Sequence, residues 1–231
     1  RIDGPASPQI FEQFAADYVF ASGGRRGDFE AKPDWFDDSH WGPEGDVRET
    51  GVCQTVSSGP DQINNRIRSM LFFAASRASK RLWIATPYFV PDQALATALE
   101  AAALAGVDVR VVTQSKPPDK WIPYFASRYF SGPLIKAGAR IYHYDPGMMH
   151  AKLMIVDNSF ATLGSANLDV RSLALNFELN IAFYSRREIR EVDRIFGRIF
   201  DDSTLLGDQF LARRLPVRLV ENFCRLFAPI L

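Results

Sequence analysis

Three histidines, two cysteines and no net charge leave this chain of 231 residues short of the groups that most polar chemistries need. Its 27 basic and 27 acidic side chains cancel, so the global field that draws many proteins to nucleic acid is missing and only a local basic surface stays open. Cys53 and Cys224 lie far apart and form no CxxC pair, which removes a thiolate metal site or redox dithiol and leaves two ordinary thiols. No apolar run approaches the ~20 residues that cross a bilayer, and the start, "RIDGPASPQIFEQFAADYVF", lacks the basic, apolar and small-residue order of a signal peptide. No short repeat recurs.

What is present is 47% hydrophobic, enough to fill one large α/β domain or one domain plus a partial neighbour. Ile10, Phe11, Phe14, Ala15, Val19 and Phe20 recur at helical spacing and predict an amphipathic helix over residues 8–21. Residues 23–51 are rich in Gly, Pro and acidic side chains without a period; they read as a linker or mobile loop, with His40 inside it. Strand and helix patterns then alternate. Residues 52–56 read as a strand, 61–79 as a helix, and "RLWIATPYFV" as one further strand. A helix "DQALATALEAAALAG" closes at Gly106, "VDVRVVTQ" is a buried strand, and a helix over residues 124–137 closes at Gly138. Strands follow at "ARIYHY", "AKLMIVD", "FATLG" and "ELNIAFY". The succession predicts an α/β fold with a central mixed sheet flanked by helices on both faces.

In the tail "RRLPVRLVENFCRLFAPIL", Leu215, Leu219, Phe223, Leu226 and Ile230 share one helical face, with Arg214, Arg218 and Arg225 beside it. Such a helix either lies on an anionic membrane surface or docks on the core.

Within "MMHAKLMIVDNSFATLGSANLDVRSLALNFE", His150 and Lys152 stand two apart, so on a strand both project to one side. An imidazole beside an ammonium is a poor metal site, since Lys is not a usual ligand and no Cys or second His sits at ligand spacing. An anion suits the pair better. A phosphate needs a nucleophile, positive charge on its non-bridging oxygens and neutral donors; His150, Lys152 and the Ser165/Asn167 pair supply them in that order. Gly164 would let the backbone come close, with nearby amides forming an anion nest. The scheme calls for neither metal nor cofactor. Asp157 lies an odd number of positions from both His150 and Lys152 and faces away from them, which points to a structural role although it completes the motif. Asp169 and Arg171 either pair to shape a loop or touch substrate, and Tyr88 and Phe89 either border a substrate channel or pack. His143 reads as an ordinary strand residue.

The combination of "H150-A-K152-L-M-I-V-D157" with "G164-S-A-N167" resembles the HxKxxxxD and GSxN motifs of the phospholipase D superfamily. With "TPYFVPD", "GVDVRVVTQ" and "GSANLDVRSLALNFELN", the chain is similar from about residue 57 onward to the second catalytic half of bacterial cardiolipin synthases. The resemblance implies a phospholipase D-like domain and a ping-pong transfer through a phosphohistidine. It marks His150, Lys152, Asp157 and Glu178 as the catalytic set, with Glu178 the acid that orients the histidine, and Lys152, Ser165 and Asn167 as phosphate holders. It implies phosphatidylglycerol as substrate and an anionic membrane surface as partner. The family uses two facing motifs, and this sequence contains one. The expectation is a C-terminal fragment: residues 1–22 end a preceding half, 23–51 link, 52–205 form the catalytic domain, and 206–231 form the tail. The first motif and the spanning helices of a bacterial cytoplasmic-membrane enzyme would then lie upstream. A one-motif homodimer acting as a phosphodiesterase or nuclease, and a phosphate-binding relic, are the other readings; zero net charge argues against nucleic acid.

Overall fold

Along "LWIA", "VRVV" and "LMIV" both alternating sets of side chains are largely apolar, and strands of that kind need cover on both faces. The computed structural model, which describes residues 6–23, 51–115 and 120–231, supplies it. In chain order the elements are α1 (Ala6–Ala21), β1 (Cys53–Ser58), α2 (Arg66–Ser76), β2 (Arg81–Ala85), β3 (Phe89–Val90), α3 (Gln93–Leu104), β4 (Asp108–Gln114), α4 (Trp121–Lys136), β5 (Arg140–Tyr144), β6 (Leu153–Val156) and β7 (Phe160–Gly164). Then come β8 (Leu168–Asp169), α5 (Val170–Ala174), β9 (Glu178–Phe183), α6 (Arg186–Asp201), β10 (Ser203–Leu205) and α7 (Leu215–Arg225). Residues 24–50 of the expected linker, His40 among them, lie outside the described residues.

Eight strands form one mixed sheet in the order β1-β9-β7-β6-β2-β4-β5-β10. β2, β4 and β5 run parallel, joined by the crossover helices α3 and α4, while the other pairings are antiparallel. Leu82, Ile84, Val109, Val111, Met154 and Val156 face Ile67 and Leu71 of α2 and Leu95 and Leu99 of α3 in one core. Ala85, Val112 and Ile155 pack on the other face against Ile189, Val192 and Phe196 of α6. Gly106 and Gly138 close α3 and α4 at φ +86° and +100°, as expected of glycine stops.

Two boundaries depart from expectation. "RLWIATPYFV" is two strands: β2 stops at Ala85, Pro87 has no N–H to continue a ladder, and Phe89–Val90 pairs in parallel with β8 as a separate ribbon. The Thr86 hydroxyl makes the corner, donating to the Tyr88 carbonyl and accepting from Leu168 N. α2 is also shorter than residues 61–79. It ends at Ser76, and beyond it the Asp157 carboxylate takes the amides of Ser79 and Lys80.

The tail forms α7, antiparallel to α4, and its docked side is unusual. Glu221, buried, accepts from Arg128 Nε at 2.9 Å and from Arg213 Nη2 at 2.8 Å, and Cys224 packs with Ala126 and Ala228.

Candidate active site

The strand register dictates where the motif residues meet. Ala85 stands opposite Val112 and Leu153, Leu153 opposite Leu163, and Gly164 opposite Asn180. The C-terminal ends of β2, β4 and β7 and the N-terminal ends of β6 and β9 therefore share one end of the sheet. That end holds His150, Lys152, residues 164–167 and Glu178.

His150 and Lys152 precede β6 in irregular backbone rather than lying on a strand, which corrects the expectation that strand pleating aligns them. Two hydrogen bonds fix this segment instead. The buried Gln114 side chain donates to the Met149 carbonyl at 3.0 Å, and Lys152 Nζ donates to the His150 carbonyl at 2.9 Å. The imidazole is left exposed and, among the described residues, makes no hydrogen bond, while Lys152 is buried. Burial pushes the Lys152 ammonium below its ordinary range, against the opposing pull of the Glu178 and Asp169 carboxylates. An ammonium has three donors, so two remain for a guest.

Beside it, residues 164–167 are strapped to β9. Ser165 N donates to the Leu179 carbonyl at 3.0 Å, and Leu179 N donates to Ser165 Oγ at 2.9 Å. Asn180 Oδ1 accepts from Ala166 N at 3.3 Å. A Cβ on Gly164 would collide with the Leu179 carbonyl and the Asn180 side chain, so the glycine admits β9 rather than a phosphate, correcting the role expected of it. Asn167 Oδ1 is buried without a hydrogen-bond partner among the described residues, so the fold leaves that acceptor unused. Among the described residues no group of three His, Cys, Asp or Glu side chains is arranged to hold a metal ion. The ammonium and the imidazole suit an oxyanion, to which the Asn167 amide can donate only through Nδ2.

Other expected site residues fall elsewhere. Asp157 sits at the far end of β6, about 16 Å from Lys152 along an extended chain. Its carboxylate accepts from Lys80 N (2.7 Å), Ser79 Oγ (2.9 Å), Arg81 N (3.0 Å) and Ser79 N (3.1 Å). With these contacts the carboxylate latches the α2–β2 connection, at the opposite end of β6 from His150 and Lys152. Burial alone would raise Asp157, but the hydrogen bonds from Arg81, Lys80 and Ser79 outweigh it and hold the carboxyl below the usual range. Phe89 is fully buried in the core and borders no channel, whereas Tyr88 lines a small cleft with Pro87, Thr113, Gln114, Tyr124 and Ser127. Asp169 and Arg171 do not pair: Asp169 caps α5 through Ser172 N at 2.7 Å, and Arg171 reaches Asn176. Glu178 accepts from Asn176 Nδ2 at 3.2 Å and is not bonded to His150, contrary to expectation. His143 is a β5 residue whose imidazole is pushed down to about 4 by burial and Arg128, against Asp145. Gln114 and Asn180 escaped sequence reasoning; the signal for both was an amide side chain at the end of an otherwise apolar strand.

A family profile described as cardiolipin synthase, PLD-like domain, matches residues 72–200. Cardiolipin synthase 1 of Bacillus cereus is 38% identical over 233 residues, covering 100% of this chain and 45% of that protein. The chain thus spans less than half the length of the curated relatives it matches. Among solved structures, phosphatidylserine synthase of Haemophilus influenzae superposes with a TM-score of 0.64 at 18% identity, covering 80% of this chain and 49% of that one. Nuc of Salmonella typhimurium, a phospholipase D family member, superposes at 0.59 and 18% identity, covering 69% of this chain and 100% of that one. The two structures carry the fold and the profile carries the family: the chain belongs to the cardiolipin synthase group of phospholipase D-like domains.

Proposed function

We propose that residues 52–205 form one catalytic half of a phosphatidyltransferase that joins two phosphatidylglycerol molecules into cardiolipin. The observation that carries this reading is the meeting of exposed His150 and buried Lys152 with Asn167 at one end of the sheet. The family and the names of its curated relatives support the choice of substrate.

In the proposed reaction a neutral imidazole nitrogen, of His150 or of its counterpart in a second half, attacks phosphorus. The bond to the headgroup oxygen breaks, and the other histidine protonates the departing glycerol. A hydroxyl of the second phosphatidylglycerol, giving its proton to that same histidine, attacks the phosphohistidine; the P–N bond breaks and cardiolipin forms. Lys152 and Asn167 hold non-bridging oxygens, and Ser165 lines the pocket. A second half is required on charge as well as chemistry. One ammonium here faces the Glu178 and Asp169 carboxylates, too little positive charge for a phosphodiester. We assign that half to an upstream segment of the same polypeptide, with a second copy of this chain as the other source. A bacterial cytoplasmic membrane is the proposed setting; among the described residues no helix is long and apolar enough to cross one.

The test is conversion of labelled phosphatidylglycerol to cardiolipin by the complete protein in mixed micelles. His150→Ala lowers turnover by about a thousandfold or more, and phosphorus-labelled substrate leaves an acid-labile, base-stable label on wild type. Undiminished turnover in the variant overturns the role of His150; DNA hydrolysis without lipid turnover overturns the substrate class.

A further inference from the structure

A surface helix ordinarily buries its apolar stripe and turns its charges to water. α7 does the reverse. It docks through Glu221 and Cys224, and it leaves Leu215, Leu219, Phe223 and Leu226 exposed at 67%, 58%, 60% and 69%. These four positions fall on one helical face, and on its flank stand Arg214, Arg218 and Arg225, all exposed. The single acid of residues 213–231 is the buried Glu221, so the outward surface is apolar and positive with no carboxylate of its own.

The position of the stripe matters. Because α7 runs antiparallel to α4, its C-terminal end approaches the start of α4, where exposed Trp121 stacks on Phe125, a neighbour of Cys224 and Ala228. Arg171 N donates to the Leu231 carbonyl at 2.7 Å, tying the end of the tail to α5, which β8 joins to residues 164–167. The apolar stripe therefore leads toward the end of the sheet that holds His150.

We propose that the outward face of α7 is a docking surface for an anionic phospholipid bilayer, lying in the interface with its leucines and Phe223 inserted and its arginines at the headgroups. A second copy of this chain fits less well, since a two-fold pairing of these faces would set three arginines against three with no acid between them. A bilayer supplies both the apolar depth and the negative charge. This surface is separate from the transfer chemistry and holds whether or not phosphatidylglycerol is the substrate.

The test is co-sedimentation of the 231-residue chain with vesicles of phosphatidylglycerol and phosphatidylethanolamine, compared with phosphatidylcholine alone. Wild type binds the anionic vesicles, and binding weakens with salt. Arg214→Gln with Arg218→Gln lowers the affinity by about fivefold per arginine. Leu219→Gln with Phe223→Gln lowers it by about tenfold or more, with Tm unchanged or raised because both side chains are exposed. His150→Ala binds as wild type, which separates docking from the transfer reaction. Unchanged vesicle binding by the Leu219/Phe223 variant overturns the proposal. So does sedimentation velocity that shows wild type as a dimer and this variant as a monomer, for then the face belongs to a second copy.

Discussion

Lys152 is the residue on which the proposed chemistry turns, and its setting makes an alkaline prediction. The charged ammonium is the form that holds a phosphate oxygen, so activity falls as pH rises through its pKa. Burial has already moved that value down, and Glu178 opposes the shift. Glu178→Gln therefore moves the alkaline limb of kcat/KM to lower pH, whatever it does to the height of the profile. A limb that stays in place would uncouple the two residues. Asp157 makes the opposite kind of claim, about folding. Its carboxylate serves four donors from a backbone at φ +52°, a conformation that Asp and Asn adopt more readily than most residues. Asp157→Ala costs about 2–3 kcal/mol in urea denaturation, and Asp157→Asn costs less because one acceptor oxygen remains. Since the native carboxyl is held below the unfolded value of ~3.9, its stabilisation is complete above that pH and is lost as pH falls through the native value. The acid limb of stability should flatten in the alanine variant.

At the scale of elements, the attachment of α7 rests on a buried charge cluster. Glu221 accepts from Arg128 and Arg213, and both guanidiniums lie over the Phe210 ring, at 4.8 and 3.7 Å. Removing the acid strands two partly buried cations. Glu221→Gln is expected to cost about 3–5 kcal/mol, with faster amide exchange confined to α7 and its contacts on α4. Exchange unchanged along α7 would mean that Cys224 and Ala228 hold it without the cluster. The continuous apolar runs of β2, β4 and β6 and the glycine stops of α3 and α4 were legible because run and breaker agree there. The break between β2 and β3 was not, because "TPYF" is apolar enough to continue a strand and only the missing N–H of Pro87 and the pull of β8 divide it. The helical face of α7 was legible too, but not which side would meet the core: that is decided by the pairing of Glu221 with Arg128, which is distant in sequence.

At the scale of the molecule, the types of the site residues could be read from the sequence while their arrangement could not. His150, Lys152 and Asn167 stand together because five strands end at a common level, a property of register rather than of any local stretch. Gln114 and Asn180 hold the backbone on either side of them, from strands whose sequence advertises only burial. The eight-residue motif also spans two ends of one strand, with its reactive residues at one end and its aspartate at the other. For anyone sorting related genes, the two ends then carry separate information. A chain that keeps the aspartate but loses the histidine should still mature into a stable, inert protein, free to be recruited for holding a ligand. One that keeps the histidine but loses the aspartate should vanish from cells at elevated temperature while its chemistry remains intact, and a permissive-temperature screen would recover it.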